Sequence, residues 1–144
     1  MAAQVIYYSK FGNTHKIAQA IGEAIAGQVI QVDKVNLADL NEAGVLIVGS
    51  PTHGGWFTEG IRDLLETLPA LDSLNVAAFD TRTASIWNRI LRFGYAAPRI
   101  AQRLEAHGGT LLAPPEGFVV QGTKGPLKDG ELERAAGWAK RITR

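Results

Sequence analysis

The chain has 144 residues and a mass of 15.5 kDa, which is the size of one ordinary globular domain. It contains 46% hydrophobic and 20% charged residues and no cysteine, which excludes wholesale disorder, a disulfide scaffold, thiolate metal sites and a cysteine nucleophile. The net charge of +1 gives no sign of a nucleic-acid partner, and no apolar run approaches the ~20 residues that a membrane-spanning helix needs.

Short β-branched runs alternate with amphipathic helical patterns along the chain, which predicts a parallel sheet covered by helices on both faces. Five strands are expected, the last of them bent at a pair of prolines. In chain order, the predicted strands are Gln4–Tyr8, Val29–Val32, Val45–Gly49, Val76–Phe79, and Thr110–Leu112 together with Phe118–Val120. The predicted helices contain Ile17–Ile25, a short turn in Val35–Leu40, Ile61–Leu68, Ala97–Leu104 and Leu132–Ile142.

This order of elements predicts a single α/β domain, residues 1–144, with a doubly wound sheet. The last helix is expected to begin with Asp129 as its N-cap and to bury Leu132 among its apolar residues. The absence of cysteine fits a reducing cytoplasm, where we expect the protein to be located.

The loop Ser9–Thr14 lies directly between the first strand and the first helix. In parallel sheets of this kind, ligands bind beyond the carboxyl ends of the strands. The first-turn N–H groups of the helix have no intrahelical partners and the helix dipole adds partial positive charge, so a phosphate monoester fits this loop. The alternative is a plain helix N-cap formed by Asn13 or Thr14. The glycine motifs of Walker and dinucleotide-binding loops are absent.

A second loop follows the fully apolar third strand and reads Ser50-Pro51-Thr52-His53-Gly54-Gly55-Trp56-Phe57-Thr58. Its glycines let a flat ligand lie against the backbone, and either His53 or Trp56 is suited to stacking on an aromatic plane. The alternative is that Trp56 and Phe57 pack on the following helix. We favour ligand contact for Trp56 and core packing for Phe57.

These two loops resemble those of the flavodoxin family, and the order of strands and helices is similar over nearly the whole chain. The first loop is similar to the family's Ser/Thr-x-Thr-Gly-Asn-Thr phosphate loop. Phe11 stands where a hydroxyl residue is usual, which removes one hydrogen bond to the phosphate. The stretch Gly49–Thr52 is similar to the family's second flavin loop. The resemblance implies flavin mononucleotide (FMN) as the cofactor and a five-stranded sheet in the order 2-1-3-4-5.

The third loop, Thr81–Gly94, departs most from the family pattern, which has a short turn with a tyrosine stacked on the flavin ring. Its start is expected to contact the pyrimidine side of the ring, whereas the spacing does not decide whether Trp87, Phe93 or Tyr95 stacks. The insertion is either a lid on the flavin or the sheet, or an exposed docking surface for an acidic redox partner, an anionic substrate or a membrane quinone pool. The predicted cofactor-binding residues are Ser9, Lys10, Phe11, Gly12, Asn13, Thr14, Pro51, Thr52, His53, Gly54, Gly55, Trp56, Asp80, Thr81, Arg82, Thr83 and Gly94.

The loop Gly122–Leu127 joins the last strand to the last helix and contains the turn signal Gly125-Pro126. A structural role is favoured for this loop, since three other loops already supply the predicted ligand-binding residues.

The resemblance implies electron transfer, in which the protein shuttles one or two electrons between a reductase and an acceptor. No side chain is then needed as a catalytic acid, base or nucleophile. One alternative is an FMN-dependent oxidoreductase acting on a quinone or a porphyrin-precursor-type substrate, because some flavodoxin-like oxidases carry an inserted helix in this region. Another is a flavodoxin-fold binding module without flavin. The three histidines lack ligand spacing, so no metal site is predicted.

Charge is distributed unevenly along the chain. Residues 1–80 carry four Lys/Arg and nine Asp/Glu, whereas residues 81–144 carry eleven and five. The segment Arg82–Arg103 contains five arginines and no acid. This pattern predicts an acidic redox partner that docks on the segment, and the alternative is an ordinary solvated surface.

Overall fold

The computed structural model describes residues 2–84 and 94–144. The strands are β1 (Ala3–Tyr7), β2 (Gln28–Gln31), β3 (Val45–Pro51), β4 (Asn75–Thr83), β5 (Thr110–Leu111) and β6 (Glu116–Val120). The α-helices in this part of the chain are α1 (Asn13–Ile25), α2 (Glu59–Thr67), α3 (Ala96–Ala106) and α4 (Glu131–Ile142). The turn predicted at residues 35–40 is present as 3₁₀ helix at Leu37–Glu42, and a shorter one covers Val32–Lys34.

The strands form one parallel sheet in the order β2-β1-β3-β4-β5, which confirms the predicted strand order. The fifth strand is divided into two pieces that both pair with β4. β5 pairs with the first two residues of β4, and β6 pairs with its last five. Residues 112–115, which include both prolines, separate the pieces, since proline cannot donate to a sheet ladder.

Alternate residues of the central strands supply two hydrophobic cores, one on each face of the sheet. Leu46 and Val48 of β3 point to the side covered by α2 and α3. Val45 and Ile47 point to the opposite side, which α1 and α4 cover. Because both faces are buried, β3 is apolar at every position in its first half, as the sequence pattern indicated.

β4 continues four residues beyond the predicted strand end at Phe79. The polar stretch Asp80–Thr83 pairs with β6, and its first two residues also pair with Ser50 and Pro51 of β3. The prediction that the third loop starts at Thr81 is therefore wrong. Strand pairing on both sides satisfies the backbone there although the side chains are not apolar.

Two predictions about the last helix are also wrong. The N-cap is Gly130, at a φ of 88°, and not Asp129. The buried face of α4 includes Glu131 and Trp138. Leu132 lies about 100° around the helix axis from Glu131 and is therefore 42% exposed. In residues 2–84 and 94–144, no helix has the length and apolar character that crossing a bilayer requires.

Candidate functional site

A cleft lies at the carboxyl edge of the sheet, where the first loop, the second loop, the end of β4 and the loop after β6 meet. Its volume is about 260 Å³, close to the lower end of small-molecule sites, which start at roughly 300 Å³. Among the described residues, no carboxylate lines it. The lining residues are Ser9, Lys10, Phe11, Asn13, Thr14, Pro51, Thr52, His53, Gly54, Thr81, Arg82, Thr83, Val120 and Thr123.

The first loop presents the start of α1 to this cleft. Gly12 is the N-cap at a φ of 97°, and no side chain caps the helix. Asn13 and Thr14 are the first two helical residues, so the interpretation that one of them is the N-cap is wrong. The hydroxyl of Ser9 accepts the N–H of Gly12 at 2.9 Å. The first-turn N–H groups that follow have no intrahelical acceptor and carry the positive end of the helix dipole.

A buried pair of hydroxyls joins the first loop to the end of β4. The Oγ1 atoms of Thr14 and Thr81 are 2.8 Å apart, and both residues are almost completely buried. The pair fixes the start of α1 against β4, because each hydroxyl has its partner inside the protein. This hydrogen bond therefore links the start of α1 directly to the end of β4 at the cleft.

The second loop is a tight hairpin. His53 and Trp56 exchange backbone hydrogen bonds of 2.9 and 3.0 Å across Gly54 and Gly55. Both glycines have positive φ, 56° and 86°, which favours glycine at the two central positions of such a turn. The hairpin brings His53 and Gly54 to the cleft, whereas Trp56 does not line it and is 47% exposed.

Three contacts join the second loop to α3. The Nε of Arg99 donates to the carbonyl of Gly55 at 2.8 Å, and its guanidinium lies 3.8 Å from the ring centre of Trp56. The hydroxyl of Thr52 accepts the N–H of Ala96 at 3.1 Å. These contacts hold the second loop against the beginning of α3.

Arg82 is held by a buried carboxylate at the opposite wall. Its Nε and Nη2 donate to Oδ1 and Oδ2 of Asp80 at 2.7 and 2.8 Å, and Asp80 also accepts the N–H of Ala97 at 2.8 Å. Asp80 is fully buried, and this burial raises the pKa of its carboxyl, while the hydrogen bonds from Arg82 and Ala97 oppose the increase.

The guanidinium of Arg82 lies between a ring and a backbone. The ring centre of Tyr95 is 3.6 Å from Cζ of Arg82. On the other side, a Cβ at Gly117 would come within 2.1 Å of Nε, so only glycine leaves room for the guanidinium. Arg82 thus occupies a defined position at the wall of the cleft, and its charge is largely offset by Asp80.

The structure brings twelve of the seventeen predicted cofactor-binding residues to the cleft. The other five lie outside its lining: Gly12, Gly55, Trp56, Asp80 and Gly94. Phe57 is buried in the core, as expected. Of the three candidates for ring stacking, Tyr95 contacts Arg82, while Trp87 and Phe93 lie outside the described residues.

Sequence reasoning missed the contribution of the end of β6 and of the loop that follows it, which supply Val120 and Thr123 to the cleft. This loop packs on the first loop so closely that a Cβ at Gly125 would lie 2.7 Å from Oδ1 of Asn13. A signal is present in the sequence, since the loop is glycine-rich and follows the carboxyl end of a strand. A purely structural role for this loop is therefore too narrow an interpretation.

Known proteins resemble the chain over almost its full length. The flavodoxin family model matches residues 5–138. A flavodoxin from the domain Archaea is 26% identical, with both chains covered completely and a TM-score of 0.77. Flavodoxin 1 from Bacillus cereus shares the fold at 16% identity and a TM-score of 0.80, covering 99% of this chain and 97% of that one.

A longer protein contains the same fold. Rubredoxin oxygen:oxidoreductase from Desulfovibrio gigas is 20% identical with a TM-score of 0.75, and the match covers 99% of this chain but 35% of that one. No curated protein matches the sequence at a significant level.

Proposed function

Because the chain belongs to the flavodoxin family, whose members are FMN-binding proteins, we propose that it binds FMN in the cleft and transfers electrons between redox partner proteins. The observation that carries the proposal is the cleft itself. It combines an uncapped helix N-terminus with hydroxyl and amide side chains and has no carboxylate among its described lining residues.

The donor set at the first loop fits a phosphate group. Ser9, Asn13, Thr14 and Thr123 supply hydroxyl and amide groups around the first-turn N–H groups of α1, and Lys10 adds a positive charge. An anion is favoured at such a point because helix N–H groups and the dipole act together. Phe11 lines the cleft but is 41% exposed, so its ring lies at the rim.

The second loop and the end of β4 fit the flat ring system. The Gly54–Gly55 hairpin presents backbone without side chains, which allows a planar group to approach closely. His53 is the aromatic residue of this loop that lines the cleft, and it therefore fits a stacking role better than Trp56. Thr81, Arg82 and Thr83 stand opposite with two hydroxyls and a guanidinium, which suit the polar edge of a flavin.

Bound FMN supplies one- and two-electron redox chemistry, and the residues of this chain bind and orient it. The partners proposed are a reductase and an acceptor. The excess of arginine in Arg82–Arg103 supports an acidic partner at that segment. The cysteine-free composition supports a cytoplasmic location.

Direct titration tests the proposal. The apo-protein is titrated with FMN and with riboflavin, which lacks the phosphate, while flavin fluorescence is followed. FMN is expected to bind at micromolar or lower concentration and riboflavin much more weakly. Failure of FMN to bind at millimolar concentration would refute the assignment. Anaerobic reduction of the loaded protein, followed by addition of an electron acceptor protein, then tests electron transfer.

Turnover distinguishes the carrier from an FMN-dependent oxidoreductase. An oxidoreductase acting on a quinone or a porphyrin-precursor-type substrate would oxidise a donor such as NAD(P)H continuously without a second protein. A carrier is expected to remain oxidised until a separate reductase is added. Sustained turnover by the purified chain alone would replace the proposal with the enzyme alternative.

A further inference from the structure

Cations lie against the rings of two exposed aromatic side chains beside the cleft. The Nζ atoms of Lys10 and Lys124 are 5.3 and 5.9 Å from the ring centre of Phe11. The guanidinium of Arg99 lies against Trp56. Phe11 and Trp56 are 41% and 47% exposed, and both belong to loops that line the cleft. An exposed ring flanked by two ammonium groups leaves apolar surface accessible within a positive environment.

The loops at this edge carry one exposed acidic residue, Asp129, which lies at the end of the loop after β6. Residues 9–14, 51–58 and 121–128 together contain three lysines and neither aspartate nor glutamate. The acidic residue at the end of β4, Asp80, is fully buried and bound to Arg82. Even with a phosphate dianion bound at the first loop and the carboxylate of Asp129 included, the three lysines and Arg99 leave this edge with a small net positive charge.

We propose that Lys10, Phe11 and Lys124, which we call the Phe11 patch, form a docking site for an acidic protein partner. An apolar side chain of the partner packs on the ring of Phe11, and carboxylates around it pair with the two lysines. A central aromatic anchor with charges at its edge is the arrangement that supplies most of the affinity and the association rate in protein interfaces. The inference rests on the proposed function, since a redox partner must approach the cleft.

The composition of the Phe11 patch favours a protein over a lipid surface. Attachment to an anionic membrane takes clusters of about four to eight basic residues. The patch has two lysines and one aromatic ring, which are enough for a transient protein contact, and with Lys128 and Arg99 the whole edge only reaches the lower end of the range for a membrane. Lys124 belongs to the loop after β6, and the patch is therefore separate in the chain from the basic segment Arg82–Arg103.

Two labelled peptides test the proposal by fluorescence anisotropy. One is a 15-residue glutamate peptide, and the other has leucine at its central position. Both should bind, the leucine peptide more tightly, and both affinities should fall as salt rises. Lys124→Glu should weaken binding about fivefold to tenfold, as reversal of one interface charge predicts. The matched control is Lys140→Glu, at the opposite edge of the sheet, which should change binding less than about twofold.

The apolar anchor is tested with Phe11→Ala, which should remove the advantage of the leucine peptide but keep the salt dependence. Equal weakening by Lys124→Glu and Lys140→Glu would overturn the proposal, because the binding would then be non-specific. The protein is also tested with equimolar phosphatidylserine–phosphatidylcholine vesicles. If it binds these vesicles through Lys124 but does not bind the peptides, the partner is a membrane and the proposed protein partner is wrong. Absence of peptide binding to a chain that takes up FMN normally would refute this inference and leave the proposed function intact.

Discussion

The ring of Phe79 occupies the space that a side chain at Gly49 would need. The two residues are register partners on β3 and β4, and Cζ of Phe79 lies 2.0 Å from the position of an ideal Cβ on Gly49. Gly49 is followed directly by Ser50, whose hydroxyl accepts the N–H of Thr58 at 3.1 Å. Packing of the Phe79 ring on Gly49 thus sets the position of the end of β3, from which the second loop begins.

Gly49→Ala is expected to destabilise the protein by about 2 kcal/mol, since a methyl group there forces a buried ring to move. Urea denaturation followed by circular dichroism measures the change. Gly137→Ala is the matched control. Gly137 lies inside α4, where a Cβ would meet only the end of the Arg141 side chain, so alanine should stabilise the helix by about 0.5 kcal/mol or more. Equal stabilities of the two variants would contradict this account.

Arg82→Ala is expected to lower the free energy of unfolding by about 3 kcal/mol, because it leaves the buried carboxylate of Asp80 without its cation. This loss of stability in the Arg82→Ala variant should depend on pH. Burial raises the pKa of Asp80 in the folded state, so the folded state binds the proton more tightly than the unfolded state. Stability of the variant should therefore fall as pH rises through the raised pKa. Urea unfolding at about pH 4 and pH 7 measures this difference.

The double variant Asp80→Asn/Arg82→Ala is the control for this pair. With no carboxyl at position 80, the pH-dependent part of the loss should disappear. A pH dependence that persists in the double variant would mean that another group is responsible.

Both cores were predictable because β-branched runs and helical spacing report directly on burial, whereas the strand order was predicted from the resemblance to the flavodoxin family. The two flavin-type loops were predictable because their residues follow strand ends. The extent of β4 was not, since Asp80–Thr83 are polar, and their pairing with β6 and, for the first two, with β3 makes them strand. The pairing of Arg82 with Asp80 was also not predictable, because periodicity carries no information on which charge finds which partner. Gly117, which makes room for Arg82, lies 35 positions further along the chain.

Glu131→Gln should reduce stability at neutral pH and have little effect at low pH. Hydrogen bonds from Arg134, followed by the N–H of Val119, lower the pKa of Glu131 below its usual 4.5. The stabilisation is therefore present above the unfolded pKa of 4.5 and is lost as pH falls through the lowered folded value. Thermal unfolding of the wild-type protein and of the Glu131→Gln variant from pH 7 to pH 3 measures the difference in their stability, which should be about 1 kcal/mol at pH 7. Glu133→Gln, at an exposed position of the same turn, should be as stable as the wild-type protein at neutral pH.

His53→Ala is expected to weaken FMN binding more than Trp56→Ala. His53 lines the cleft, whereas Trp56 does not and its ring lies against the guanidinium of Arg99. Loss of one stacking contact predicts a decrease in affinity of about fivefold for His53→Ala. Fluorescence titration of both variants with FMN measures it. A larger effect of Trp56→Ala would show that the hairpin rearranges when flavin binds.

Phe11→Thr is expected to raise FMN affinity and leave riboflavin affinity unchanged. A threonine hydroxyl at this position can donate one hydrogen bond to the phosphate, and bonds to charged groups contribute about 1.5 kcal/mol, which is about tenfold in affinity. The ring of Phe11 lies at the rim with Lys10 and Lys124 against it, so its removal opens no core cavity. Phe11→Ala removes the same ring without adding a hydroxyl and should show no comparable gain. Equal gains for FMN and riboflavin would mean that the ring of Phe11 obstructs the cleft, and the phosphate hydrogen bond would not be the cause.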